Sequence, residues 1–176
     1  DVDRDGDVDV FSAETFGGGI GWYENDGTPG NGAWTRFAVG NTGQAVPSLA
    51  AGDVDGDGDT DLLSTSQPGN TVTWHENDGT PAVGTWTSYT VTTAAVSPFD
   101  IVAADVDRDG DLDAIVAEFD GPSLSWYEND GTPAVGLWTE RVISTAANGL
   151  RTISAGDVDR HGDVDGFSAE TLRGRN

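Results

Sequence analysis

Offsetting the chain by 52 residues aligns it with itself without a gap, and this fixed period constrains its fold more than any other feature. Four acidic segments fall into register: Asp1-Val2-Asp3, Asp53-Val54-Asp55, Asp105-Val106-Asp107 and Asp157-Val158-Asp159. A second block repeats with them, as WYENDGTPGNGAW over residues 22–34, WHENDGTPAVGTW over 74–86 and WYENDGTPAVGLW over 126–138. Residues 53–104 and 105–156 are identical at 25 of 52 positions. A period of roughly 20–50 residues marks a solenoid, propeller or array, in which each unit hides its apolar face against its neighbours.

The content of the unit selects among these. Four β-type segments are read per repeat, at residues 48–52, 62–66, 71–76 and 86–92, and none has helical periodicity. Alternation of β-branched and aromatic residues, as in Thr71-Val72-Thr73-Trp74, is the pattern of a strand with one face buried. ENDGTP, between the third and fourth segments, is turn chemistry, with Gly supplying positive φ and Pro fixing the exit.

Four antiparallel strands in a 52-residue unit describe one propeller blade. The expected fold is therefore all-β, a single repeat domain over residues 1–176 with units of about 1–45 (partial), 46–96, 97–148 and 149–176 (partial). That is about three and a half blades, where closed propellers use roughly four to eight. The chain is expected to be part of a longer propeller, to self-associate into a ring or filament, or to be completed by another chain.

The acidic segment has the form DxDxDGDxD. Calcium takes six to eight oxygen ligands, and a nine-residue loop with Asp at alternate positions can wrap one ion. The candidate ligands are Asp1, Asp3, Asp5, Asp7 and Asp9 in the first loop and Asp53, Asp55, Asp57, Asp59 and Asp61 in the second. Asp105, Asp107, Asp109, Asp111 and Asp113 form the third set, and Asp157, Asp159, Asp163 and Asp165 the fourth. Gly6, Gly58, Gly110 and Gly162 permit the sharp turn, and position 7 is expected to offer its backbone carbonyl.

A single DGD reads most simply as a solvated turn, but four aligned copies favour calcium. The loop is not an EF-hand, because Ser12, Ser64, Val116 and Ser168 stand where the twelfth-position Glu would be. In the fourth loop His161 replaces the aspartate found at Asp5, Asp57 and Asp109, so three strong sites and a weaker, water-completed or empty fourth are expected.

Charge agrees with a cation. The loops hold 19 of the 31 acidic residues, and the only basic residues besides two His are eight Arg, for a net charge of −23. Four divalent ions carry +8 and would move −23 to −15. Nucleic acid and anionic membranes are poor partners for such a surface. No apolar run approaches the roughly 20 residues that span a bilayer, and the absence of Cys excludes disulfides and thiolate metal sites.

The pairing of DVDGDGDTDLL with WYENDG resembles the FG-GAP or VCBS repeat family, related to the integrin α-subunit propeller, across essentially the whole chain. The resemblance implies a calcium loop joining the first two strands of each blade, blades arranged in a ring, and a secreted or cell-surface location.

Residues that recur once per unit are expected to be structural. These include Trp22, Trp34, Trp74, Trp86, Trp126 and Trp138, together with Glu24, Glu76 and Glu128. Binding is more readily sought where copies differ: His75, Arg36, Arg141, Arg151, Glu118 and Phe119. The expected role is a calcium-stabilised extracellular module for binding, adhesion or scaffolding, with a glycan or protein ligand. A self-assembling structural protein is the alternative. An enzyme is not expected, although a polysaccharide lyase using His75 with Tyr127 or Arg151 is the one catalytic reading the residues offer.

Overall fold

The computed structural model describes residues 1–30, 32–121, 124–146 and 149–170, and holds thirteen strands and no helix among them. The first sheet contains β1 (Val10–Ala13), β2 (Gly19–Glu24) and β3 (Thr35–Asn41). The second contains β4 (Leu49–Gly52), β5 (Asp61–Ser66), β6 (Thr71–Glu76) and β7 (Thr87–Thr92). The third contains β8 (Pro98–Ala104), β9 (Asp113–Glu118), β10 (Leu124–Glu128) and β11 (Thr139–Ser144). The last pairs β12 (Leu150–Gly156) with β13 (Asp165–Glu170).

Every pairing is antiparallel between sequence neighbours, so each sheet is a meander. The register repeats with the sequence: Ala50 faces Leu63 in the second sheet and Val102 faces Ile115 in the third, each pair shifted by one period. Strand limits differ from the sequence reading by one residue. The second strand of the unit starts at Asp61 rather than Leu62, because the Asp61 carboxylate is held in the ladder region by two backbone N–H groups. The fourth starts at Thr87, because the Trp86 indole donates back to Pro81 O at 3.4 Å and holds its residue in the turn.

The core lies between sheets rather than within them. Trp22, Trp74 and Leu62 are fully buried, and Trp22 stacks on Phe37 at 4.6 Å while Trp74 stacks on Tyr89 at 4.7 Å. Val54, Leu63, Val72, Ile101, Val116 and Tyr127 fill the space between the second and third sheets. Burying each such side chain contributes about 1.5–3 kcal/mol, and no sheet could keep its face from water without the next one. Asp100 on β8 ties three units together, accepting Ser48 Oγ–H at 2.6 Å and Ile153 N–H at 2.8 Å.

Candidate metal centres

The second and third acidic loops join the first strand of a four-stranded unit to the second, β4 to β5 and β8 to β9; the fourth joins β12 to β13 in the same way, and the first leads directly into β1. Carboxylates that sequence spacing would bring together do converge. Ligand atoms within 4.8 Å of one another come from Asp1, Asp3 and Asp5; from Asp53, Asp55 and Asp57; from Asp105, Asp107 and Asp113; and from Asp157, Asp159 and Asp165. These clusters of acidic residues could hold a metal ion.

The loop achieves this with two left-handed residues. Position 6 is Gly throughout, with φ between 88° and 103°. Position 4 is also left-handed, at Arg4 (64°), Gly56 (76°), Arg108 (66°) and Arg160 (63°). Position 6 is legible from its invariant Gly, whereas the one sequence signal for position 4 is Gly56 standing where the other copies carry Arg. Between them, side-chain to backbone bonds two residues apart set the curl: Asp5 N–H to Asp3 Oδ1 at 3.2 Å, Asp57 N–H to Asp55 Oδ1 at 3.2 Å and Asp109 N–H to Asp107 Oδ1 at 3.3 Å.

The first carboxylate is the most informative. Oδ2 of Asp53 accepts from Gly58 N–H at 3.0 Å and Oδ2 of Asp105 from Gly110 N–H at 3.2 Å. Their Oδ1 atoms are shut off from solvent and have no hydrogen-bond partner. A buried carboxylate oxygen without a partner costs several kcal/mol, and a cation among the converging carboxylates would remove that cost. The donor set is all oxygen, with no thiolate or imidazole in three loops, which suits a hard divalent ion.

Position 7 stands apart from the converging groups, and position 9, which joins them in the third and fourth loops, has a second role. The ninth-position carboxylate is a clamp: Asp61 accepts Val54 N–H at 3.1 Å and Asn77 N–H at 2.8 Å, and Asp113 accepts Val106 and Asn129 N–H at 2.9 Å each. Asp9 does the same with Val2 and Asn25. Burial pushes the Asp61 carboxyl up to about 7 and Asp113 to about 6, against the opposing pull of those N–H donors. Asp7, Asp59, Asp111 and Asp163 lie outside the converging groups. Two of these bind the preceding or neighbouring loop's arginine, Arg4 to Asp59 at 2.7 Å and Arg108 to Asp163 at 3.4 Å. In the fourth loop His161 Nδ1 lies 2.9 Å from Asp159 Oδ2, so the odd residue turns onto a prospective ligand.

The ENDG turn, read from sequence as a connector, is also an inter-unit clip. Asn77 Nδ2 donates to Val2 O and Thr60 O, each at 3.3 Å, and Asn129 Nδ2 donates to Val54 O at 2.9 Å and Leu112 O at 3.2 Å. Each amide thus bonds its own loop and the loop one period earlier. Only the strict recurrence of Asn could have flagged this.

The non-repeated candidates sit mostly in structural roles. His75 is 2% exposed and lies between Ser64 Oγ (2.9 Å) and Ser88 Oγ (2.8 Å); burial lowers it to about 4. Arg141 lies 5.5 Å from the Trp126 ring, taking the place of the rings that stack on Trp22 and Trp74, and binds Glu128. Arg36 pairs with Glu14 at 3.5 Å. Glu118 is 3% exposed, and burial raises its carboxyl. Arg151 lies over both Phe99 (5.2 Å) and Phe119 (4.7 Å), a cluster that occurs in one unit only.

Four-stranded antiparallel meanders, one acidic loop per unit and cores between successive sheets define a repeat protein built from β-propeller blades. The family model for the FG-GAP-like repeat matches residues 1–64 and again residues 53–116, and the chain belongs to this family. No curated protein matches the chain. No helix among the described residues is long and apolar enough to cross a membrane.

Proposed function

We propose that the chain is a calcium-stabilised propeller module that works outside the cell as a surface for binding, adhesion or scaffolding. The observation that carries the reading is the buried, unpartnered Oδ1 of Asp53 and of Asp105 within groups of converging carboxylates. Asp1, Asp3 and Asp5, Asp53, Asp55 and Asp57, and Asp105, Asp107 and Asp113 would hold the ions in the first three loops. Bound calcium would neutralise charge, complete the ligand shells and lock each hairpin to the turn beside it. An extracellular setting supplies free calcium at levels that such exposed loops can use, and FG-GAP-like membership favours that location.

The ligand in this reading is a glycan or a protein, engaged where the repeats differ. The Phe99, Phe119 and Arg151 cluster offers aromatic faces and a guanidinium, groups suited to sugar rings and carboxylates. A lyase would need His75 and Tyr127 within reach of a polymer, and these side chains are 2% and 1% exposed, so nothing in their placement favours catalysis. Calorimetric titration of chelator-treated protein with calcium tests the first part: no heat and no change in melting midpoint would sink it. Glycan-array binding that is lost on Arg151→Ala tests the second.

A further inference from the structure

Successive acidic loops are joined by two kinds of side-chain link, and the junctions do not carry the same set. Between the first and second loops the Asn77 amide bonds Val2 O and Thr60 O, and Arg4 Nη2 lies 2.7 Å from Asp59 Oδ1. Between the second and third, the Asn129 amide repeats the first link, to Val54 O and Leu112 O. The second link is missing there, because Gly56 stands where Arg4 stands and no arginine pairs with Asp111 among the described residues. Between the third and fourth the arginine returns, with Arg108 Nη2 3.4 Å from Asp163 Oδ1.

Both links end beside prospective ligands. Val2 and Arg4 alternate with Asp1, Asp3 and Asp5, which converge in the first loop. On the other side, the Asp59 N–H donates to Asp57 Oδ1 at 2.8 Å, and Asp57 converges with Asp53 and Asp55 in the second. Arg4 has a left-handed backbone, φ 64°, spanned by the bond from Asp5 N–H to Asp3 Oδ1 at 3.2 Å. Drawing Asp3 and Asp5 onto one ion therefore fixes the backbone from which the guanidinium projects, and the bridge carries that constraint to the segment that holds Asp57.

The Asp59 side chain is 12% exposed and that of Arg4 54%, so the acidic end of the bridge is largely withdrawn from water. Ion pairs near a protein surface shift an equilibrium by up to about fivefold. Gly56 leaves room for the missing link. A Cβ there meets nothing within 4 Å, and Arg4, Arg108 and Arg160 adopt the same left-handed conformation, at φ of 64°, 66° and 63° against 76° for Gly56.

We propose that the first and second loops take up divalent ions cooperatively through the Arg4–Asp59 bridge, and that Gly56 makes the junction between the second and third loops the weaker coupling. Position 4 thus decides which neighbouring loops fill together. The effect is reciprocal, since filling either loop changes the affinity of the other by the same factor. The Asn link is common to both junctions, so the difference between them belongs to the arginine. The inference rests on the calcium reading of the loops.

The test follows each loop separately in the whole chain. With isotope-labelled glycine, the amide resonances of Gly6, Gly58 and Gly110, one at the sixth position of each loop, report its filling as calcium is added to chelator-treated protein. Emptying the second loop with Asp53→Asn should weaken the first loop more than the third, by a further factor of about two to five. That excess should vanish in Arg4→Gly, which installs the residue the second loop already has, and equally in Asp59→Asn, which breaks the bridge from its other end. Gly56→Arg should give the third loop the same added dependence on the second. Circular dichroism establishes that the variants fold. Equal weakening of the first and third loops, or an excess that survives both Arg4→Gly and Asp59→Asn, overturns this inference alone. Glycine amides that do not respond to calcium at any concentration overturn the calcium reading and this inference with it.

Discussion

The side-chain amide of Asn129 donates to the backbone carbonyl of Val54 at 2.9 Å, across 75 residues of chain, and both partners lie in turns rather than strands. Asn77 and Val2 stand in the same relation one period earlier. The acidic loop of one unit is therefore braced by the ENDG turn of the next, which couples the first and second candidate metal centres to the packing of the neighbouring unit.

Asn129→Ala should cost about 2 kcal/mol, since Asn129 is 1% exposed and its loss strands the buried carbonyl of Val54, the half-buried carbonyl of Leu112 and the N–H of Gly131. Urea unfolding measures this. Asn25→Ala, whose amide bonds only its own loop, should cost clearly less. Equal losses would mean that the clip between units contributes nothing.

Calcium should raise the melting midpoint, each occupied site adding about 2.7 kcal/mol when free calcium is a hundredfold above its dissociation constant. Asp53→Asn and Asp105→Asn should each remove about one ion in a calcium titration, because these residues carry the buried unpartnered oxygens. His161→Asp should strengthen the fourth loop, where the histidine now binds Asp159.

His75 sets a pH dependence. Its folded value of about 4 lies below its ordinary 6.5, so the unfolded chain binds the extra proton between those values and stability rises with pH across that window. The contribution is complete above 6.5 and is lost as pH falls through 4, a difference of about 3 kcal/mol. Aspartates titrate in the same range, so the readout is the difference between the parent chain and His75→Tyr, the residue that Tyr23 and Tyr127 place in this register. The difference in stability should change with pH between 6.5 and 4 and be flat outside it.

Gly131→Ala should destabilise by at least about 1–2 kcal/mol from backbone conformation alone, because Gly131 has φ of 78°. The added Cβ would also come within 2.8 Å of Asp111 Oδ2. Thermal melting should show the loss, and Gly30→Ala, where a Cβ meets nothing within 4 Å, is the control.

Much of this was legible in the repeat. A period of 52 residues, with alternation inside it and turn residues between, fixed the strands of the second unit to within one residue, because local pattern and packing partner recur together. The convergence of alternate aspartates was equally legible, since a tight loop with Gly at position 6 leaves them few directions to point.

The division of labour among the aspartates was not. Asp7, Asp59, Asp111 and Asp163 look like ligands in one dimension, yet they lie outside the converging groups and two of them bind arginines of neighbouring loops, while Asp113 both joins the third group and accepts two backbone N–H bonds. Arg141 likewise reads as an exposed singular residue until its place over Trp126 shows it standing in for Phe37 and Tyr89.

By itself the sequence determined the unit: its length, its four strands, its acidic loop and the turn that follows, all products of short-range pattern. Only the tertiary structure decided what crosses between units, namely the Asn clips, the Asp100 bridge and the arginine links. Those depend on residues brought together from a full period or more apart, and no local pattern encodes which neighbour a side chain will meet.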